Sequence, residues 1–395
     1  MANLRVAGGT GEATKLTKKG KFFDYTLLIV VLFLVAFGLV MVYSTSSFSA
    51  LKDTGDSAFY FKRQLLTSGI GLLAMAVVSF ISYKLWYRCG VIVYIAAIVS
   101  ILMVLTPLGK TFNGARRWIG IGGFTVQPAE FVKLALIISL AAFAFYSGKN
   151  MQKIRNNLAY IFLAGLAAGM IFFITNNLST AIILLGIAYI MLIVSNPKPG
   201  WILAVSGVGV AAIVVFLIIF FKTTDSASGF RFQRLLAWRN PEAYAQEEGY
   251  QTLQALYAIG SGGFFGKGLG MSIQKLGFIP EAQNDMIFSV VCEELGLFGG
   301  ICVIVLFVIM IWRFMVIANN APDMFASMLV VGVLAHIAIQ VILNIAVVTN
   351  TIPNTGITLP FISYGGTSVI FLMIEMGIVL NVSMHIRVPV PINED

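Results

Sequence analysis

Residues 26–45 read TLLIVVLFLVAFGLVMVYST, twenty positions without a charge. A helix needs about 20 mainly apolar residues to cross the hydrocarbon core of a bilayer. The run is too long for the apolar part of a cleaved leader, and no small-residue cleavage site ends it. It therefore predicts a first transmembrane helix. Nine further segments of the same kind follow at 65–83, 89–108, 128–147, 158–174, 178–195, 201–221, 286–312, 324–348 and 364–384. The fifth and sixth are short, joined by the polar turn Thr175, Asn176 and Asn177.

Composition agrees with this reading. Of 395 residues 58% are hydrophobic and 11% charged, with a mean hydropathy of +0.91. Soluble domains average about 25% charged, so so few charges cannot cover a water-facing surface of this size. A soluble enzyme, a disordered chain and a disulfide scaffold are all excluded. Cys89, Cys292 and Cys302 sit in apolar segments and read as small buried hydrophobes. The expected fold class is an all-α polytopic membrane protein of about ten transmembrane helices.

Ten crossings place both termini on one side, and Lys and Arg decide which. With the N-terminus inside, that side carries 13 positive residues, from Arg5 to Arg387, against six in the short outer loops. The termini are therefore expected to be cytoplasmic. The net charge of +9 is then mostly topological, and a nucleic-acid partner has no place. The domain reading is a cytoplasmic tail over 1–23, a membrane domain over 24–385 with a large extracellular loop at 222–284, and a cytoplasmic tail over 386–395.

Ionisable residues inside spans are expensive, and they line cavities or pair with one another. Glu130 and Lys133 stand three apart on the fourth helix, at ion-pair spacing. Glu293 and Glu294 lie in the eighth and Glu375 in the tenth. His336, Gln340 and Asn344 share one face of the ninth, as do Tyr364, Ser368 and Glu375 on the tenth. The simplest arrangement turns these faces toward one common polar cavity. His336 reads as a structural hydrogen-bonding residue, since no second His or carboxylate has metal-ligand spacing around it. Gly165 and Gly169 form a GxxxG, read as close helix packing.

The outer loops 109–127 and 222–284 are long and concentrate Arg with Gly, Gln and aromatics, as functional loops do. The run SGGFFGKG at 261–268 fails the Walker pattern at Ser261 and Gly268. It reads as a flexible hinge after a surface helix at 250–259. Asp285 follows in PEAQND at 280–285, at the outer mouth of the eighth helix. It is suited to capping the helix or complementing its dipole, and Asn284 could do the same. Its place, at the water interface near Arg116, Arg117, Arg231 and Arg234, equally suits a base working against a phosphate leaving group. Glu293, about 12 Å deeper at 1.5 Å per residue, is too far for a paired-carboxylate hydrolase site.

At these residues the chain resembles the SEDS family (shape, elongation, division and sporulation). The blocks are GARRWI at 114–119, QPAEFVK at 127–133, GYQ at 249–251, AIGSGG at 258–263, PEAQND at 280–285, EELG at 293–296 and PNTGITLPFISYGG at 353–366. The likeness covers nearly the whole chain. It implies a glycosyltransferase that polymerises lipid II into peptidoglycan strands on the outer membrane face, with Asp285 matching the essential aspartate. Glu130 and Lys133 match a pair lining the same cavity, and Gln251, Ser363 and Tyr364 fall in its blocks. The PEA spelling leans toward the division and sporulation branch, FtsW-like rather than RodA-like. The implied location is the bacterial cytoplasmic membrane at the septum.

The family also implies a class B penicillin-binding transpeptidase as partner, with other divisome proteins. A divalent cation (Mg²⁺ or Mn²⁺) held by Asp285 is one source of positive charge, and no organic cofactor is expected. Gln283 and Asn284 replace His and Thr, Ala129 replaces Ser, Thr175-Asn176-Asn177 replaces Gln-Pro-Asp, and Asn350 replaces Gly. These leave the aspartate and the Glu-Lys pair intact and put only fine contacts in question. A lipid II flippase, a RodA-like elongation polymerase and a recruiting module without chemistry are the rival readings.

Overall fold

The structure, a computed structural model, describes residues 17–391 apart from 113, 122–123, 224–229 and 247–248. Twelve α-helices and five short strands are formed among them. In chain order they are β1 (Thr17–Lys21), α1 (Tyr25–Thr54), α2 (Phe59–Phe80), α3 (Tyr83–Met103), β2 (Gly109–Phe112), β3 (Ala115–Ile121), β4 (Phe124–Val126), α4 (Pro128–Ser147), α5 (Ile154–Thr175), α6 (Leu178–Ser195), α7 (Gly200–Thr223), α8 (Phe230–Arg239), α9 (Tyr250–Gly262), α10 (Ile287–Asn319), α11 (Met324–Val348), α12 (Gly366–Met384) and β5 (Arg387–Pro391). Nine helices among the described residues are long and apolar enough to cross a membrane. The remaining expected span, 201–221, falls in α7, whose described apolar stretch, Gly200–Gly209, is shorter.

Helix starts follow the local chemistry. Asp24, Asn177 and Asp323 accept from the amides of Leu27, Thr180 and Ala326 and so cap α1, α6 and α11. Pro128 opens α4, where its missing N–H is no loss. Asn176 closes α5 in the left-handed conformation at φ 51, which Asn tolerates better than most residues. Asn350 uses the same tolerance at φ 55.

The centre of the bundle is α4, α11 and α12, the most buried spans. Around them α2 runs along α12, α3 along α4, and α10 against α11 and α9. Large apolar side chains such as Phe33, Leu73, Phe80 and Phe162 stay exposed on the outside, as they must where the surrounding solvent is lipid.

Three features depart from the sequence reading. The segment 109–127 is not plain loop: β2, β3 and β4 form an antiparallel sheet in that order. The expected tenth helix begins only at Gly366, leaving Tyr364 outside it. The expected eighth helix, α10, is broken at Gly296, where φ is 70 and ψ −170. At the break the segment after α9 lies against the helix backbone. Lys267 N–H donates to Glu293 O and Gly268 N–H to Glu294 O, both at 2.9 Å, while Leu297 N–H donates to Gly263 O (2.9 Å) and Phe298 N–H to Phe264 O (3.1 Å).

This close approach requires glycine. A Cβ on Gly262 would lie 2.0 Å from Cys292 O, and one on Gly296 would lie 2.4 Å from Gly266 N. The segment expected to be a flexible hinge is thus clamped. The GxxxG expectation also fails, because a Cβ on Gly165 or Gly169 would meet nothing within 4 Å. β1 pairs antiparallel with β5, so the two ends of the described chain meet at one end of the bundle.

Candidate functional site

Asp285 stands two residues before α10, at the end of a turn-rich segment in which Glu281 takes a left-handed φ of 49. Its backbone is fixed from α11: the Nδ2 of Asn344, fully buried, donates to Asp285 O and to Ile357 O, each at 2.7 Å. α8 and α9 lay a roof over it. Gln251 of α9 donates through Nε2 to Pro280 O (3.2 Å) and accepts at Oε1 from Asn354 Nδ2 (2.9 Å). From α8, Arg234 Nη1 donates to Asn354 O (3.2 Å) and Trp238 Nε1 to Asn350 O (3.0 Å).

Asp285 is 9% exposed, and that burial pushes its carboxyl up to about 6 from an ordinary 3.8. The Glu281 charge pushes the same way, while the Arg234 guanidinium and backbone N–H groups oppose it. A carboxylate with this value is mostly ionised at neutral pH yet basic enough to accept a proton.

Deeper in the bundle a second group is assembled from α4, α11 and α12. Lys133 Nζ lies 3.0 Å from Glu130 Oε1, and Ser368 Oγ donates to Glu130 Oε2 at 2.9 Å. Lys133 also donates to Gln340 Oε1 (3.3 Å). Gln340 Nε2 donates to Thr358 O (3.0 Å), a group that can only accept, so Oε1 is the atom facing His336 Nε2 at 2.9 Å. That nitrogen therefore carries a proton. His336 Nδ1 meets Glu375 at 2.9 Å. His336 is structural, as expected, but it is the middle of a chain running Glu130, Lys133, Gln340, His336, Glu375. The 354–359 segment lies between this chain and Asp285, with Ile357 O held by Asn344 and Thr358 O by Gln340.

Glu293 and Glu294 are not part of it, which corrects the expectation of one common cavity. Each is fully buried and takes a lysine from the outer loop, Lys267 on Glu293 and Lys275 on Glu294, both at 2.7 Å. Ser272 Oγ donates to Glu293, and Ser44 Oγ donates to Glu294 at 2.8 Å. The acidic pair thus anchors the loop at the break in α10, a use that spacing alone did not reveal.

Of the other predicted residues, Arg116 Nη2 donates to Thr106 O (2.6 Å). Arg117 donates to Thr175 O (3.0 Å) and Asn176 O (2.8 Å), which holds the β-sheet on the corner between α5 and α6. The Arg231 side chain lies outside the described residues. Ser363 Oγ accepts from Leu359 N–H (2.8 Å), and Tyr364 sets its ring edge-on to Tyr60 at 5.0 Å. Among the described residues no group of three or more His, Cys, Asp or Glu could hold a metal ion. Sequence reasoning passed over Asn354 and the backbone carbonyls of 350–358, because a loop carbonyl has no sequence signal.

Known proteins bear on this arrangement. The chain is 38% identical over 373 residues to the stage V sporulation protein E of Bacillus subtilis, covering 94% of this chain and all of that one. It is 38% identical to the probable peptidoglycan glycosyltransferase FtsW of Trichlorobacter lovleyi (92% and 94% covered) and 36% to that of Bacillus subtilis (94% and 93%). A chain from a solved peptidoglycan synthase complex, described as coordinating polymerization and crosslinking, superposes with a TM-score of 0.75 at 25% identity, covering 91% and 97%. The rod shape determining protein RodA of Thermus thermophilus shares the fold, at TM-score 0.64 and 24% identity over 91% and 96%. The family described as cell cycle protein, FtsW/RodA/SpoVE, matches residues 25–388, from the first span to the last strand, and the chain belongs to it.

Proposed function

We propose that this membrane protein is a peptidoglycan glycosyltransferase that polymerises lipid II into glycan strands, with Asp285 as general base. The observation that supports it most is Asp285 itself: one buried carboxyl, held up to about 6, at the outer end of a span beneath a roof formed by α8 and α9. A sugar hydroxyl is a poor nucleophile while protonated, and a positioned base with a value near the working pH contributes typically about 10²- to 10⁴-fold. Asp285 takes the proton from the 4-hydroxyl of the acceptor GlcNAc as that oxygen attacks the anomeric carbon of the donor. The undecaprenyl diphosphate leaves from the opposite face, so the β-1,4 bond forms with inversion.

Charge developing on the diphosphate calls for cations. Arg234, close enough to act on Asp285, and Lys133 are the first candidates, with Arg116, Arg117 and Arg231 behind them. Asp285 would be the residue to hold Mg²⁺ or Mn²⁺, which would supply positive charge at the diphosphate, and the proton transfer assigned to Asp285 does not require it. The membrane domain spans 24–385, with the 222–284 segment outside.

The division role at the septum, with a class B penicillin-binding transpeptidase and other divisome proteins as partners, draws on the FtsW relatives. Support for a cross-linking partner comes from the similar chain in a complex that couples polymerization to crosslinking. Purified Asp285→Asn in detergent should fold and make no glycan from lipid II. Substantial polymer from that variant would refute the assignment, and lipid II crossing vesicles without polymer would favour a flippase. Rescue of elongation rather than division in depleted cells would favour the RodA-like role.

A further inference from the structure

At the end of the bundle opposite Asp285 the structure has a cavity of about 170 Å³ that the proposed chemistry leaves without a use. α10 carries the chain from Asp285 to that end over 33 residues, about 50 Å at 1.5 Å per residue. The walls include Tyr83, Lys84, Tyr87 and Arg88 of α3, Phe145 of α4, and Asp323, the cap of α11. The cavity is thus a junction of three spans, close to where β1 meets β5: Tyr83 N–H donates to Asn381 Oδ1 of α12 (2.8 Å), and its ring stands edge-on to His385 at 5.1 Å. In the orientation that Lys and Arg predict, this end lies at the inner leaflet.

Its charges are unbalanced. Lys84 and Arg88 stand four apart on one face of α3, both exposed, and neither makes a hydrogen bond or ion pair with another described residue. The acid in the wall is already engaged: Asp323 Oδ2 accepts from the Tyr83 hydroxyl (2.6 Å) and Oδ1 from the Ala326 amide (2.9 Å). Even with Asp323 counted in full, two cations against one carboxylate leave the wall positive. Between the charges the wall is aromatic, with Tyr87 edge-on to Phe145 at 5.2 Å. Phe145 and its neighbour Tyr146 stay exposed on the outside of the bundle, where lipid is the solvent. Free phosphate would use the cations and leave the rings idle. A choline headgroup would bring its own cation against Lys84 and Arg88.

We propose that this cavity is a binding site for an anionic phospholipid, with Lys84 and Arg88 on its phosphate and the rings of Tyr87 and Phe145 against its glycerol and first acyl carbons. Basic pockets between spans hold such headgroups, and tyrosines favour the same depth. A lipid seated there bridges α3, α4 and α11, so it stabilises the bundle as well as binding to it. The full chain, purified in a mild detergent, is titrated with dioleoylphosphatidylglycerol, dioleoylphosphatidylcholine or inorganic phosphate. Native mass spectrometry counts the bound lipid, and the melting midpoint gives a second readout.

Phosphatidylglycerol should add one copy bound about tenfold tighter than phosphatidylcholine and should raise the midpoint. Lys84→Gln and Arg88→Gln should each weaken that copy about fivefold, and the two together about 25-fold, at the usual strength of a basic residue against an anionic lipid. Lys198→Gln, which removes an exposed cation between α6 and α7, should leave it unchanged. Equal binding of the two lipids by the parent chain overturns the site, whatever the variants do. So does equal weakening by Lys198→Gln, which would mean attraction to basic charge in general. A rise in midpoint as large with inorganic phosphate as with phosphatidylglycerol overturns the lipid as its occupant.

Discussion

At the scale of single residues, Asp285 ties function to stability. Burial holds its carboxyl at about 6 against 3.8, so the folded chain keeps this proton more tightly than the unfolded one. The stability it contributes is full below about pH 4 and is lost as pH rises through 6, a difference of about 3 kcal/mol for two pKa units. Asp285→Asn should therefore melt at a higher temperature than the parent at neutral pH, the two converging toward pH 4. Equal melting curves across that range would contradict the buried, raised carboxyl. Polymerisation should fall on the acid side with an apparent value near 6.

Reversing the pair, Glu130→Lys with Lys133→Glu, tests the inner chain. The new carboxylate would face Gln340 Oε1, an acceptor held in place by Thr358. Activity should thus recover only partly from the single substitutions, each of which strands a buried charge at about 3–5 kcal/mol; full recovery would mean that Gln340 turns freely. Glu130 and Lys133 stood out in sequence because charge is rare in a span, and Asp285 because it is a carboxylate at the mouth of one. The amide orientation of Gln340 was not, since it depends on where a distant carbonyl falls.

Elements were legible to the degree that hydropathy alone decides them. α4, α6 and α11 fall at their expected limits, since length and apolar content suffice to specify a span, whereas α1 runs on past residue 45 to Thr54. The β2–β3–β4 sheet was missed because its strands have three to seven residues, too few for an alternating pattern to show. The break in α10 was missed because Glu-Glu-Leu-Gly looks like any polar interruption until its partners are known.

That break is where substitution should hurt most. Gly296→Ala, with φ 70 and a Cβ driven into Gly266 N, and Gly262→Ala, driven into Cys292 O, should each lower stability by about 3 kcal/mol or more. Gly165→Ala and Gly169→Ala, with open space around them, should be neutral or gain up to about 1 kcal/mol from helix propensity. Thermal midpoints in one detergent check all four, and similar losses at both pairs would count against the clamped loop.

For the whole molecule, the asymmetry of Lys and Arg predicts an orientation that labelling can test. Thr351, Lys52, Lys149 and Arg387 are all exposed, so single cysteines can be placed there after Cys89, Cys292 and Cys302 are replaced. A membrane-impermeant thiol reagent on intact cells should label Thr351→Cys and Lys52→Cys and spare Lys149→Cys and Arg387→Cys. The opposite pattern would invert the topology and move Asp285 inside. The pairing of β1 with β5 already requires both ends on one side, a constraint that ten crossings predicted and that no single segment states.

The contact between the outer loop and α10 has one more consequence. In an unbroken helix Leu297 and Phe298 would donate to the carbonyls of Glu293 and Glu294, four residues back. These are the same four groups that the loop now engages. Drawing the loop away would therefore strand none of them in hydrocarbon, because each has its helical partner waiting one turn along. α10 is in this sense a splice between bundle and loop with two complete backbone bonding patterns, and the open one is the one held by Lys267 on Glu293 and Lys275 on Glu294.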